Sequence, residues 1–180
     1  MLSIEALSLD SVMLDEVRNY LRLESDQEDA ALGAILLAAI GHAERFTGQI
    51  LIRRAVRQTM AASPDWQRLS ATPVGSVITV SGIPADGAAF ALNDTQYTVR
   101  IDANDDGYIS VSRSGAAGRI EVRYEAGLAQ SWAALPDSLR LAVLRMTGHW
   151  HLHRDSADDA GPPAAVAILL RPWRRLRIAA

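Results

Sequence analysis

The sequence predicts an α+β fold: a small helical bundle core with an inserted antiparallel β subdomain and an extended C-terminal arm. Helical periodicity dominates residues 10–47 and returns after Pro136. Between them, residues 50–125 contain short β-type runs separated by Gly, Pro, Asn and Asp clusters. A Gly161-Pro162-Pro163 break precedes an arginine-rich end. The expected parts are a first helical part at 1–49, a β insertion at 50–125, a second helical part at 126–163 and a C-terminal docking arm at 164–180.

The composition is that of a globular protein with few routes to catalysis. Of 180 residues, 49% are hydrophobic and 22% charged. Because cysteine is absent, disulfides, zinc-thiolate sites and thiol catalysis are excluded. We also expect no signal peptide and no membrane partner, since the longest apolar run, Ala30 to Ile40, is too short to span a bilayer. The expected location is the cytoplasm.

Two helices are predicted before the β region. Residues 10–23 form a short helix that Asp10 or Ser11 can cap, with an apolar stripe at spacings of three and four. Residues 26–47 form a longer one, for which Ser25 and Glu28 provide a capping box and Gly48 a stop. The stripe of the first is Leu14, Val17 and Leu21, and the broad face of the second is Leu32, Ile35, Leu36, Ala39, Ile40 and Ala43.

The β region contains five candidate strands, at 51–60, 76–81, 96–101, 107–112 and 118–124. In the last of these, apolar residues alternate with charged ones, which is typical of a strand with one buried face. Asn104-Asp105-Asp106-Gly107 predicts a hairpin turn. The alternative for this turn is a calcium loop beginning at Asp102, but its twelfth position is Arg113 instead of a bidentate Glu.

Helical character returns at Pro136 or Asp137 and continues to about His153. Its core face comprises Leu139, Leu141, Ala142, Val143, Leu144, Met146 and Trp150. Residues 154–163 read as a loop, and 164–170 can make two helical turns that Pro172 ends.

Three histidines, His149, His151 and His153, lie at the end of this helix. A zinc protease motif would need Glu where Trp150 stands, and only two of the three imidazoles share a helical face. We favour a partly exposed helix end over a metal site, and the minor alternative is an enzyme with a histidine-bound metal. The sequence has no nucleophile elbow, phosphate loop or dinucleotide motif. We therefore expect no catalytic residues, no metal and no cofactor.

The C-terminal stretch has the most unusual charge pattern of the chain. All 18 basic residues are arginine, and four of them fall within Arg171 to Arg177. No acid lies in 166–180, whereas the rest carries 14 arginines against 21 acids. The stretch could be a solubilising end, a nucleic-acid arm or a protein-docking arm. Its apolar residues argue against simple disorder, and Trp and Arg are enriched at interface hot spots, so we favour protein docking.

Taken in order, several short motifs resemble those of phage head–tail connector (adaptor) proteins. The helix Leu14–Leu23 is similar to the family's opening helix, and Ala43–Leu51 resembles its helix end with an aromatic-Thr-Gly. Further resemblances are Pro73-Val74-x-Ser76-Val77, Val122-x-Tyr124-x-Ala126-Gly127 before Leu135-Pro136, and Leu169-Leu170-x-Pro172-Trp173-Arg174. Trp150, His153 and Arg154 stand where the family often has an aromatic and an Arg. Together the motifs span about 14–174, and the β insertion resembles a longer subgroup found in long-tailed phages, prophages and gene transfer agents.

This resemblance implies a structural protein. Members form a homo-oligomeric ring, usually of twelve copies, that joins the portal to a downstream stopper or tail-terminator protein. DNA passes through the ring without sequence readout, and an acidic body suits a lumen that repels phosphates. Assembly would take place in the bacterial cytoplasm before the protein enters the particle. The residues implied to bind the portal are Leu169, Leu170, Arg171, Pro172, Trp173, Arg174, Arg175, Leu176 and Arg177. The runner-up function is a small nucleic-acid-binding module that uses the same arm.

Overall fold

The computed structural model describes residues 1–153 and 163–175. Helices and antiparallel sheets are both present, so the predicted α+β class is confirmed. The strands are β1 (Leu2–Ile4), β2 (Arg54–Ala61), β3 (Gln67–Arg68), β4 (Val74–Pro84), β5 (Phe90–Ala91), β6 (Tyr97–Ile101), β7 (Gly107–Val111) and β8 (Ala117–Ala126). The helices are α1 (Ser11–Leu21), α2 (Asp29–Thr47), α3 (Asp137–Leu152) and α4 (Ala164–Leu170), followed by a 3-10 turn at Arg171–Trp173.

Contacts divide the chain into a β unit and a helical unit. The β unit consists of Met1–Ala6 and Ile52–Leu128. The helical unit consists of Leu7–Leu51 and the described residues from Ala129 onward. Within the described ranges no helix is both long enough and apolar enough to cross a membrane.

The β unit contains two antiparallel sheets. The larger has the strand order β1-β2-β8-β4-β5, and the smaller has the order β3-β7-β6. The alternation predicted for 118–124 is confirmed, because Val122 and Tyr124 are buried while Arg123 is exposed. The Tyr124 hydroxyl accepts from the Ala71 amide at 3.0 Å and donates to Gln58 Oε1 at 3.0 Å. Burial raises the pKa of Tyr124, and its hydroxyl, bonded on both sides, ties β8 to β2 and to the loop before β4.

All five predicted strands are present with shifted ends, but three strands were not predicted. The unpredicted strands, β1, β3 and β5, are two or three residues long. Segments this short show no period in the sequence, so only their pairing with longer strands defines them. β4 is longer than the predicted 76–81 and contains register shifts near Val74 and Val77.

The predicted hairpin turn between β6 and β7 is confirmed. Asp102 Oδ1 accepts from the amides of Asn104 and Asp106, both at 2.9 Å, and Asp105 has a φ of 56°. Asp106 forms an ion pair with Arg68 at 2.7 Å. The turn therefore uses its acids for backbone capping and for pairing with a neighbouring strand.

Of the two N-terminal caps predicted for the helical unit, one is confirmed and one is wrong. Asp10 caps α1 by accepting from the Met13 amide at 2.8 Å, and Gly48 ends α2 with a φ of 71°. The predicted capping box is wrong. α2 begins at Asp29, Glu28 makes no capping bond, and Ser25 accepts from the amide of Gln27 at 3.2 Å. The Ser25 hydroxyl thus forms a local turn, which competes with capping.

The helical core comes from the predicted faces. On α2 the buried apolar residues are Leu32, Leu36, Ala39, Ile40 and Ala43, and on α3 they include Leu139, Ala142, Val143, Leu144 and Met146. Trp132, in the loop before α3, is also fully buried, and its indole N–H donates to Glu16 at 2.6 Å. That bond satisfies the polar end of an otherwise apolar ring.

Candidate docking site at the C-terminal end

The residues that close the helical unit, 163–175, are here called the C-terminal segment. Two helical turns at 164–170 were predicted and are confirmed as α4. Val166 and Leu170 are buried, and α4 packs against α3. Because the apolar side of α4 faces the core, this helix is part of the helical unit and not a free appendage.

The expectation of an extended arm is wrong for residues 164–173. The 3-10 turn at Arg171–Trp173 continues directly from α4 and holds Trp173 against the unit. The indole N–H of Trp173 donates to Ser138 Oγ at 3.0 Å. The backbone carbonyl of Trp173 accepts from Gln49 Nε2 at 2.5 Å. Trp173 is half-buried and its polar groups are bonded within the unit. These bonds stabilise a segment that is folded onto the unit over a segment that extends into solvent.

Two arginines after the turn lie against the end of α2. The guanidinium carbon of Arg174 is 5.8 Å from the ring centroid of Phe46, within the range of a cation–π contact. The amide of Arg175 donates to the carbonyl of Thr47 at 2.8 Å. This carbonyl lies in the last turn of α2, where carbonyls have no partner within the helix and positive charge is also favourable.

The predicted portal-binding residues therefore divide by exposure. Arg171, Pro172 and Arg174 are exposed. Leu169, Trp173 and Arg175 are half-buried, and Leu170 is fully buried. Leu176 and Arg177 lie outside the described residues. The structure thus brings two hydrophobic anchors, Leu170 and Trp173, and two exposed arginines, Arg171 and Arg174, together at the same end of the helical unit.

The histidines at the end of α3 have interactions with protein groups. The rings of His149 and His153 are 4.5 Å apart, and His153 Nδ1 lies 2.8 Å from the His149 carbonyl. His151 Nε2 lies 3.7 Å from a carboxylate oxygen of Glu28. Within residues 1–153 and 163–175, no three His, Asp or Glu side chains are grouped closely enough to hold a metal ion.

Sequence reasoning missed a fourth histidine, His42 on α2. Its ring meets that of Trp150 edge-on, with centroids 5.9 Å apart. Burial, and then the charge of Arg45, lower its pKa. The pairing of α2 with α3 creates this environment, which helical spacing alone does not reveal.

A cluster in the β unit was also missed. The guanidinium carbon of Arg100 lies 5.2 Å from the ring centroid of Trp66 and 5.1 Å from that of Tyr108. The three residues come from separate parts of the sequence. Arg100 and Tyr108 meet through the register of β6 and β7, and β3, which follows Trp66, pairs with β7. No local motif could have indicated this stack.

Neither a family model nor a curated protein matches the chain. Solved structures do, over nearly its whole length. A chain in the neck of an empty gene transfer agent (GTA) particle, computed with C6 symmetry, is 27% identical with a TM-score of 0.81. The match covers 99% of this chain and 97% of that one.

Two further structures agree with the first. A chain in the virion of a native GTA particle is 28% identical with a TM-score of 0.77, over 99% of this chain and 97% of the other. A chain in the neck of a native GTA particle, computed with C12 symmetry, is 26% identical with a TM-score of 0.77, over 98% and 97%. The chain therefore shares its complete fold with components of phage-like particle necks.

Proposed function

We propose that this protein is a non-enzymatic structural component of the head–tail neck of a phage-like or gene-transfer-agent particle. The observation that carries the proposal is the match to neck chains over 97% or more of both partners. The match includes both the β unit and the helical unit of this chain. It therefore favours a shared place in an assembly over the sharing of one module alone. The order of the connector-like motifs over residues 14–174 supports the same role.

Within the neck, we propose a ring of twelve copies. The neighbours' necks were computed with C6 and C12 symmetry, and twelve copies are compatible with both. A cyclic ring joins one surface of each copy to a different surface of the next. The ring would act as an adaptor that connects the portal to a downstream stopper or tail-terminator protein.

The proposed ring lets DNA pass without reading its sequence. The chain has a formal net charge of −3, which favours weak interaction with phosphates over tight binding. Assembly would take place in the bacterial cytoplasm, and the mature location would be the particle neck. The β unit would be the insertion that marks the longer subgroup of adaptors.

The proposed portal contact is the exposed side of the C-terminal segment together with Leu176 and Arg177. Leu170 and Trp173 would act as anchors that hold this end of the unit in place. Arg171 and Arg174 are exposed and can pair with carboxylates of the portal in a bidentate manner. Prior ordering of the segment lowers the entropy that docking would cost.

A double charge reversal tests this contact. The change Arg171→Glu with Arg174→Glu should weaken binding to purified portal assemblies at least tenfold, because two cations become anions at the interface. The matched control, Arg113→Glu with Arg119→Glu, alters two exposed arginines of the β unit and should bind normally. Circular dichroism checks that both variants fold. Undiminished portal binding by the first variant would refute the docking assignment.

The alternative, a nucleic-acid-binding module, predicts a different result. Affinity for duplex DNA would fall steeply with salt, and the same Arg171/Arg174 reversal would abolish it. Gel retardation of a duplex at low salt measures this directly. The comparisons favour the neck component over this alternative.

A further inference from the structure

The small sheet of the β unit has two unlike faces. Its inner face contains Leu69, Ile109 and Val111, all of which are buried. Residues that alternate with these point to the other face, because successive side chains of a strand lie on opposite sides. The outer face carries polar and aromatic side chains.

One row of side chains crosses the outer face. Arg68 on β3 is directly opposite Tyr108 on β7, which is directly opposite Arg100 on β6. Trp66, two residues before Arg68, lies beside this row and is 47% exposed. We call these four residues the aromatic–arginine patch. Trp, Tyr and Arg are the residues most enriched at interface hot spots.

The two arginines of the patch have different partners. Arg68 is bound to Asp106 at 2.7 Å. Arg100 makes cation–π contacts with the rings of Trp66 and Tyr108, and among the described residues no carboxylate lies within 4 Å of it. The two ring contacts hold the guanidinium beside the aromatic side chains, and its N–H groups can donate to a carboxylate. Arg100 is therefore positioned for a carboxylate from another molecule.

An acidic segment with the complementary charge lies in the helical unit. The connection between α1 and α2 carries Glu24 and Asp26, both exposed. The next two acids along the chain already have partners, since Glu28 lies near His151 and Asp29, the first residue of α2, lies 3.6 Å from Arg18. In the part of the chain that the structure describes, neither Glu24 nor Asp26 has a cation within 4 Å.

We propose that the aromatic–arginine patch of one copy docks the carboxylates of Glu24 and Asp26 of the next copy. This inference rests on the proposed ring, since a cyclic assembly needs two different complementary surfaces on each copy. Arg100 supplies the bidentate contact, and Trp66 and Tyr108 cover it with apolar surface. The patch and the acidic connection would then form one head-to-tail interface.

A protein carboxylate fits this patch better than DNA does. Asp102, Asp105 and Asp106 belong to the hairpin beside Tyr108 and place negative charge at the edge of the patch. These acids oppose any anion, but Asp106 is paired with Arg68, and the repulsion grows with the charge of the incoming group. A row of phosphates is therefore opposed more strongly than two carboxylates are.

The test follows self-association of the full chain by sedimentation velocity and by the indole N–H signal of Trp66, which Trp66→Phe identifies. We expect association and a Trp66 shift as concentration rises from about 20 μM to about 1 mM, the range of a weak interface. Arg100→Glu should weaken association at least tenfold, and so should Glu24→Arg with Asp26→Arg. The triple variant that combines them should regain it, because the charges are exchanged across the interface.

Arg113→Glu, an exposed arginine outside the patch, should associate like the original chain. A chain that stays monomeric at 1 mM, or a triple variant without recovery, would overturn the inference. A short DNA duplex that shifts the Trp66 signal while association is unaffected by Arg100→Glu would also overturn it. Portal binding, measured separately, tells the two proposals apart. If the chain binds portal and its self-association is unaffected by Arg100→Glu, only the patch proposal fails. If the chain self-associates through the patch but never binds portal, only the adaptor role fails.

Discussion

At the scale of single residues, Gly127 shows most clearly how the backbone limits the sequence. It follows β8 with a φ of 152°, a conformation that residues with a side chain rarely adopt. A Cβ there would lie 2.4 Å from both the amide nitrogen and the Cα of Arg53. These are backbone atoms, so a rotamer change cannot relieve the overlap.

We therefore expect Gly127→Ala to lower the free energy of unfolding by about 3 kcal/mol or more, through strain and steric overlap together. Gly118→Ala is the matched control, because its Cβ would meet no atom within 4 Å and its φ is ordinary. It should change stability by no more than about 0.5 kcal/mol. Urea denaturation of both variants provides the comparison, and equal stabilities would contradict the structure around Gly127.

His42 makes stability depend on pH. Burial, and then Arg45, lower its pKa below the usual 6.5, so the unfolded chain takes up a proton at a higher pH than the folded chain. The stability from neutral His42 is thus fully present above about pH 6.5, and falls as the pH drops towards the lowered folded pKa. His42→Gln should lose less stability than the original chain between pH 7.5 and pH 5.5. Parallel pH profiles of the two proteins, measured in urea, would exclude this role.

At the scale of elements, the spacing of apolar residues and the positions of turn and cap residues predicted most of the fold. The apolar spacing of α1, α2 and α3, and the alternation of β8, are properties of each segment alone. Gly48 and the Asn104–Gly107 turn were predicted correctly because their backbone conformations favour those residue types. The short strands and the start of α2 were missed because distant pairing and local hydroxyl turns determine them.

The C-terminal segment was partly misjudged for the same kind of reason. Its helix was visible in the sequence, but its docking onto Gln49 and Ser138 was not. A Trp within a basic stretch predicts an exposed anchor as readily as an internal one. Only the tertiary hydrogen bonds distinguish the two.

Trp173→Phe tests this internal anchor. Loss of the indole N–H removes one hydrogen bond, worth about 1 kcal/mol, and should loosen the segment locally. Hydrogen exchange of the Arg175 amide, which bonds to Thr47, should become several times faster, while amides of the β unit keep their rates. Ser138→Ala removes the same bond from the other side and should reproduce the effect. Unchanged exchange in both variants would mean that the bond does not hold the segment.

At the scale of the whole molecule, the sequence indicated a structural component of a phage-like particle but not the details of its surfaces. Ordered motifs from residue 14 to 174 pointed to a connector, and the solved neck chains share this fold along its length. The aromatic–arginine patch was invisible, because strand register creates it from Trp66, Arg100 and Tyr108. The anchoring role of Trp173 was not visible in the sequence either, because it depends on how the helices pack.

Electron microscopy would show whether this chain forms a ring at the portal. The full chain would be co-expressed with the portal protein of the same particle, and the purified complex imaged and averaged. We expect a twelve-fold ring against the portal, with the exposed side of the C-terminal segment of each copy at the contact. A portal without bound ring density would contradict the proposed adaptor role, and so would a ring whose subunits contact the portal through the β unit.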